Sequence, residues 1–225
     1  DLFFDLEGFP LAEGHAPEGP AAPPERLADF AANGAAAEAA RGREYLWGAA
    51  TRGGHVAASA AAGGGGGVGA ALFENDDEFV AWWAHSYAQE KAALEGFVDW
   101  AVSLKRSEPR MHIYHYGAYE VSALRRLAMR HATREAEVDE LLRGGALVDL
   151  YAVVRGGLLL GTENYSIKSV EKLYRGGGGG GRDTAVAKGD QSVVVYDAWL
   201  EAPDGSDAAS SATLASLLEY NRDDC

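Results

Sequence analysis

Three stretches rich in Gly, Ala and Pro interrupt this chain and limit which parts of it can belong to a folded core. They cover residues 11–43, residues 52–67, which end in five glycines, and residues 176–181, which are all glycine. Such a backbone loses more conformational entropy on ordering than its small side chains recover by burial. We therefore predict three flexible surface insertions, without site residues, in a single domain over residues 1–225.

The segments between the insertions carry apolar patterns that predict strands early in the chain and helices later. The predicted strands are Leu2–Leu6, Tyr45–Thr51, Val68–Phe73 and Met111–Tyr116. The predicted helices span residues 77–106, 118–131, 166–175, 190–202 and 210–225, and residues 147–154 hold a last strand or the turn into a helix. Three successive strands indicate an antiparallel meander. The order of elements predicts an α/β or α+β class with a mixed sheet.

The charge balance argues against a chain that attracts nucleic acid over its whole surface. It has 20 Lys and Arg against 34 Asp and Glu, a net charge of −14. Binding of a polyanion depends on Lys and Arg, so it would need a local basic patch or neighbouring domains. Two basic concentrations are apparent: Arg125, Arg126, Arg130 and Arg134 on and after one predicted helix, and Lys168, Lys172 and Arg175 in YSIKSVEKLYR. Such charges are also typical of solvated helix faces.

The sequence has little that indicates a membrane or disulfides. No stretch has the run of about 20 apolar residues that crosses a bilayer, and no basic-then-apolar leader is present, so we expect no membrane association. The single cysteine, Cys225, cannot form an internal disulfide, which fits a reducing compartment. We expect an intracellular, cytoplasmic protein, with an organelle as the open alternative. Because the chain opens at Asp1 and stops inside a predicted helix, we expect a piece excised from a longer protein.

Two carboxylates follow the first apolar run, in DLFFDLEGFP. Asp5 and Glu7 are two residues apart, so their side chains leave the same face of a strand. Two carboxylates on one face at a strand end favour a cation, and Mg²⁺ prefers such oxygen ligands. Taken alone, a D-x-E pattern is equally typical of the polar side of an edge strand.

Two further acidic positions lie far along the chain. In HIYHYGAYEVSALRRLA a strand leads through Gly117 into an amphipathic helix with Glu120 in its first turn, where the helix dipole also favours a negative charge. In LLEYNRDDC, Tyr220 and Asp224 are four residues apart and share one helix face. Asp223 is an alternative to Asp224, and both motifs can also be ordinary solvated helix. We do not expect His112 or His115 to be ligands, since a lone strand histidine is usually structural.

Taken together and in this order, FFDLEG, HYGAYE and YNRDD resemble the three motifs of the DEDD superfamily of RNase H-like 3′-5′ exonucleases, in its Tyr-x3-Asp variant. The closest resemblance is to the RNase H-like domain attached to predicted RecB-family nucleases. GDQSVVVYDAWL and YSIKSVEKLY are also similar to segments of that family. The resemblance implies an α/β, RNase H-like fold. Its mixed five-stranded sheet would have three antiparallel strands, then two parallel ones, and helices on both faces.

The resemblance also implies roles for five residues in a centre for two divalent ions, Mg²⁺ or Mn²⁺. Asp5 would contact both ions, Glu7 and Asp224 would complete the first site, and Glu120 would serve the second. Tyr220 would orient the water that attacks the phosphodiester bond. Most members have Asp where this chain has Glu120, whose longer side chain can bind the second ion differently.

The implied substrate is DNA or RNA, attacked at single-stranded 3′ ends. The candidate phosphate contacts are Arg125, Arg126, Lys168 and Lys172. The implied partners in the full-length chain are RecB-like nuclease or helicase domains. The net charge of −14 and the Gly-rich stretches keep an alternative open, a catalytically inert RNase H-like module that acts as a nucleic-acid clamp or docking surface. Asp149 would reach the periphery of the site at most, and a structural role is expected for it.

Overall fold

A computed structural model describes residues 1–9, 42–51, 71–72, 78–174 and 189–225. The predicted insertions at 52–67 and 176–181, and residues 11–41 of the first one, lie outside the described residues. Arg43, the last residue of the first predicted insertion, is the first residue of a strand.

One mixed sheet organises the described residues. Its strands are β1 (Leu2–Phe9), β2 (Arg43–Thr51), β3 (Ala71–Leu72), β4 (Glu78–Trp83), β5 (Ile113–His115) and β6 (Leu147–Asp149). The strand order is β3-β4-β2-β1-β5-β6, with antiparallel pairing from β3 to β1 and parallel pairing from β1 to β6. Apart from the two-residue edge strand β3, this is the predicted five-stranded sheet. The predicted α/β class is confirmed.

Helices cover both faces of the sheet. They are α1 (Tyr87–Ser107), α2 (Tyr119–His131), α3 (Glu135–Arg143), α4 (Leu150–Gly157), α5 (Ile167–Val170), α6 (Gly189–Glu201) and α7 (Ala212–Asp224), and a 3₁₀ turn at Glu171–Leu173 follows α5. The sequence analysis missed α3. Among the helices of the described residues, none combines the length and apolar character that crossing a bilayer requires.

Alternation along β1 decides which side of the sheet holds the acidic side chains. Leu2, Phe4 and Leu6 are buried in a core cluster with residues of α1, α2 and α3. Asp5 and Glu7 alternate with them and so lie on the opposite face. A second cluster covers that face, where α6 and α7 pack on β2 and β4. The carboxylates therefore lie beneath two helices from the C-terminal part of the chain.

The segment predicted as a helix over residues 77–106 begins as a strand. Phe79, Trp82 and Trp83 belong to β4, which pairs with β2 over six residue pairs. Helix α1 begins only after Ser86, whose side chain accepts a hydrogen bond from the Gln89 backbone N–H at 3.2 Å. The run EFVAWW is aromatic and β-branched, and pairing with β2 overrides its helical spacing. Strand β4, and not the predicted strand Val68–Phe73, is therefore the third meander strand beside β2.

The region predicted as a last strand or a turn into a helix contains both. Strand β6 ends at Asp149, whose carboxylate accepts hydrogen bonds from the backbone N–H groups of Tyr151 and Ala152 and starts α4. The same oxygen accepts a hydrogen bond from the Gly117 N–H at 2.9 Å, before α2. Asp149 thus has a structural role, since it joins the starts of two helices.

Candidate metal centre

Three carboxylates from the two ends of the chain meet at one point. Asp5 and Glu7 extend from β1 and Asp224 from the last turn of α7, and one oxygen of each lies within 4.8 Å of the other two. Among the described residues the group includes Asp224 and not Asp223. The contact exists because Leu214 and Leu217 of α7 pack in the core cluster above β2 and β4.

This arrangement places negative charges where water is scarce. Burial, together with the charges of Glu7, Asp224 and Glu120, raises the pKa of Asp5 well above its usual range. Burial raises the pKa of Glu7 to about 7, and the Asp224 charge acts in the same direction. Ionised carboxylates this close repel one another unless a proton or a cation lies between them. The donor set consists of hard oxygen atoms and therefore fits Mg²⁺ or Mn²⁺.

Glu120 lies beside this group without belonging to it. It is in the first turn of α2 and 4% exposed, and its charge contributes to the raised pKa of Asp5. Its Oε2 lies 3.5 Å from Nδ1 of the buried His115, at the end of β5. That oxygen accepts no hydrogen bond from any part of the chain that the structure describes. Glu120 is therefore close enough for its charge to act on Asp5, and its Oε2 lies beside His115.

Two polar side chains that the sequence analysis did not select hold the carboxylates of β1. Asn221 donates through Nδ2 to Asp5 Oδ2 at 2.8 Å. Ser192 of α6 donates through Oγ to Glu7 Oε2 at 2.6 Å. Both residues lie inside segments that carry the family resemblance, YNRDD and GDQSVVVYDAWL. Sequence spacing alone does not show which strand residue such a side chain reaches.

A family model for the RNase H superfamily matches residues 67–225. The chain belongs to the RNase H superfamily. The match includes Glu120, Tyr220 and Asp224, whereas Asp5 and Glu7 precede its first residue. Together with the mixed sheet, membership confirms the predicted RNase H-like fold, and it indicates a nuclease-like, nucleic-acid-related function. No match was found among the curated proteins or among the solved structures.

In this RNase H superfamily domain, Tyr220 and Lys168 lie together beside the carboxylates. Tyr220 is 2% exposed, and Lys168 donates through Nζ to its hydroxyl oxygen at 2.6 Å. The same ammonium lies 4.8 Å from the centre of the Tyr220 ring. Its charge opposes the increase in the Glu7 pKa, so Lys168 lies near Glu7 as well. This lysine, predicted as a phosphate contact, lies at the edge of the candidate metal centre.

The positive charge of the predicted basic face of α2 is partly balanced by carboxylates of neighbouring elements. Three arginines of this face are paired with carboxylates: Arg126 with Glu44, Arg130 with Glu90, and Arg134 with Asp99. Arg125 on α2 and Lys172 on the 3₁₀ turn are exposed. The carboxylates belong to β2 and α1, so helical spacing within α2 could not reveal them. Arg126, predicted as a phosphate contact, is paired with the buried Glu44.

Proposed function

We propose that this chain is a metal-dependent 3′-5′ exonuclease of the DEDD type, which hydrolyses phosphodiester bonds in DNA or RNA with two divalent ions, Mg²⁺ or Mn²⁺. The observation that supports this most is the group of Asp5, Glu7 and Asp224 within 4.8 Å, assembled from the two ends of the chain. The raised pKa of Asp5 and of Glu7 supports this proposal, because a bound cation would favour the ionised form of both carboxylates. The order of the three motifs supports the exonuclease subtype.

In the proposed reaction, Asp5, Glu7 and Asp224 would hold one ion, and Asp5 and Glu120 would hold the other. Such ions would supply activation of a water molecule and stabilisation of the leaving oxygen. Tyr220 orients that water through its hydroxyl group. The hydrogen bond from Lys168 fixes the position of the phenol oxygen, and Ser192 and Asn221 keep the β1 carboxylates in place.

Single-stranded 3′ ends are the proposed substrate, and Lys168, Lys172 and Arg125 are the proposed phosphate contacts. Arg126 is a weaker candidate than the sequence suggested, because it binds Glu44. RecB-like nuclease or helicase domains in a longer chain are the proposed partners. They would supply substrate affinity that a domain with a net charge of −14 cannot obtain from its own overall field.

The direct test is release of mononucleotides from labelled single strands. We expect the chain to release 5′-mononucleotides from 3′-labelled DNA or RNA in Mg²⁺ or Mn²⁺, and to release none when the metal is chelated. A circular single strand without ends is the matched substrate control and should stay intact. Cleavage of the circle, or no release from either nucleic acid, would contradict the proposed activity.

The acidic charge and the paired arginines of α2 favour a second candidate, an inert module that acts as a nucleic-acid clamp or docking surface. Calorimetric titration with Mn²⁺ separates the two candidates. The exonuclease requires binding of the ion at the carboxylate group, and absence of heat up to millimolar metal would favour the inert module.

Lys168→Met is expected to lower kcat by about 10- to 100-fold, the usual effect of removing a group that orients metal-site residues. The variant loses both the hydrogen bond to Tyr220 and the positive charge near Glu7. Lys91→Met, at an exposed position on α1, is the matched control and should keep the wild-type rate. Single-turnover release from a 3′-labelled strand measures the effect, and a wild-type rate in Lys168→Met would contradict this role.

A further inference from the structure

We infer that Asn221 and Gly48 act as a pair that positions the carboxylate of Asp5 for metal binding. The inference rests on the proposed function, because it assigns these residues to the same metal centre. Neither residue is a candidate ligand: Asn221 acts through Asp5, and Gly48 acts through Asn221. Both are therefore positioning residues.

Asn221 contacts Asp5 twice through one nitrogen. Its Nδ2 donates to the carboxylate oxygen Oδ2 at 2.8 Å and lies 3.4 Å from the backbone oxygen of the same residue. The side chain is fully buried on α7, three residues before Asp224. Because one amide group binds both the backbone and the side chain of Asp5, it restricts rotation of that carboxylate. The other carboxylate oxygen is left for a cation.

Gly48 is the position on β2 directly opposite Asp5. A Cβ atom at this residue would lie 1.8 Å from Oδ1 and 2.8 Å from Cγ of Asn221. Non-bonded atoms do not approach a Cβ atom that closely, so any side chain at Gly48 would displace the Asn221 amide from Asp5. Because Gly48 has no side chain, the Asn221 amide of α7 can lie against β2 and reach Asp5 of β1.

The Asn221 amide lowers the stability of the fold in a way that an apolar residue at this position would not. Its Oδ1 is buried and accepts no hydrogen bond from the residues that the structure describes. A buried acceptor without a partner destabilises a folded protein, and such a group in a native structure calls for an explanation. The donor half of the same amide supplies one, since its N–H groups are directed at Asp5.

The pair is tested with Asn221→Ala, Gly48→Ala and the double variant, with Mn²⁺ affinity measured by calorimetry. We expect Asn221→Ala to weaken Mn²⁺ binding by about 10- to 100-fold. Gly48→Ala should weaken it to a similar extent in the wild-type background. In the Asn221→Ala background the added methyl group meets no amide, so Gly48→Ala should change the affinity by less than about twofold.

Two further variants separate positioning from folding. Ser216→Ala removes a part-buried hydroxyl from the same helix, where it binds the Thr213 carbonyl, and should leave Mn²⁺ affinity unchanged. Asn221→Ser keeps a small polar group that is too short to bind Asp5, and it replaces the alanine variant if that variant melts. Thermal melting in chelator checks that each variant is folded at the temperature of the titration.

Each outcome decides between the claims. Wild-type Mn²⁺ affinity in folded Asn221→Ala or Asn221→Ser would overturn the positioning role, and additive losses in the double variant would overturn the coupling to Gly48. A wild-type chain that binds no Mn²⁺ would contradict the proposed function and the positioning role together. Mn²⁺ binding that is lost in the Asn221 variants, in a chain without exonuclease activity, would support the positioning role and contradict the proposed activity alone.

Discussion

Asp5→Asn is expected to reduce the exonuclease rate by about 1,000-fold, which corresponds to roughly 4 kcal/mol of transition-state stabilisation. In the proposed centre Asp5 is the ligand shared by both ions, so one substitution weakens both. The substitution keeps the size of the side chain and removes its charge. Relief of repulsion from Glu7 and Asp224 should at the same time stabilise the metal-free protein.

Single-turnover release from a 3′-labelled strand at saturating Mn²⁺ measures this loss, and calorimetry measures the accompanying loss of metal affinity. Asp139→Asn is the matched control, because Asp139 is an exposed carboxylate that pairs with Arg143 far from the site in its own helix. It should keep the wild-type rate. Retention of more than about a tenth of the activity in Asp5→Asn would be incompatible with the shared-ligand role.

The metal-free protein is expected to lose stability as the pH rises from about 4.5 to about 7. Burial raises the pKa of Glu7 from its ordinary 4.5 to about 7, so the folded state binds this proton more tightly than the unfolded state does. The stabilisation is complete below pH 4.5 and disappears as the pH passes 7. Glu7 alone accounts for roughly 3 kcal/mol, and the raised pKa of Asp5 acts in the same direction.

A loss of this size lowers the melting temperature by roughly 6 to 12 °C in a chain of this length. Melting at about pH 5 and about pH 8 in chelator measures it, and Mn²⁺ should restore stability at the higher pH by binding only the folded, ionised site. Glu7→Gln should have a smaller pH dependence than wild type. Glu163→Gln, at an exposed position, is the control. An equal pH dependence in wild type and Glu7→Gln would show that Glu7 is not the group responsible.

The two predictions concern a local centre in a protein with a net charge of −14. Two divalent ions would cancel the charge of the four proposed carboxylate ligands, although the remaining surface would still repel a polyanion. Lys168 is the predicted phosphate contact that lies beside the centre. Within the described residues, Arg126, Arg130 and Arg134 are paired with carboxylates, so we expect a shallow salt dependence of substrate binding for this domain alone.

The sequence by itself determined which side chains share a face. Alternation in a strand places Asp5 and Glu7 on the side opposite Leu2, Phe4 and Leu6, and this pattern depends only on covalent spacing. Helical spacing likewise places Tyr220 and Asp224 on one face of α7. The order of apolar segments likewise predicts a mixed sheet, and the resemblance of FFDLEG, HYGAYE and YNRDD to family motifs implies the RNase H-like fold.

Only the tertiary structure decided what those faces meet. Pairing with β2 made β4 a strand although its apolar spacing also fits a helix, and packing of α7 on the sheet brought Asp224 and Asn221 to Asp5. The pairing of Arg126 with Glu44 likewise joins residues 82 positions apart. The backbone geometry of a strand or a helix fixes the direction in which each side chain points. Contacts between distant segments depend on the free energy of packing the whole chain, which no single segment contains.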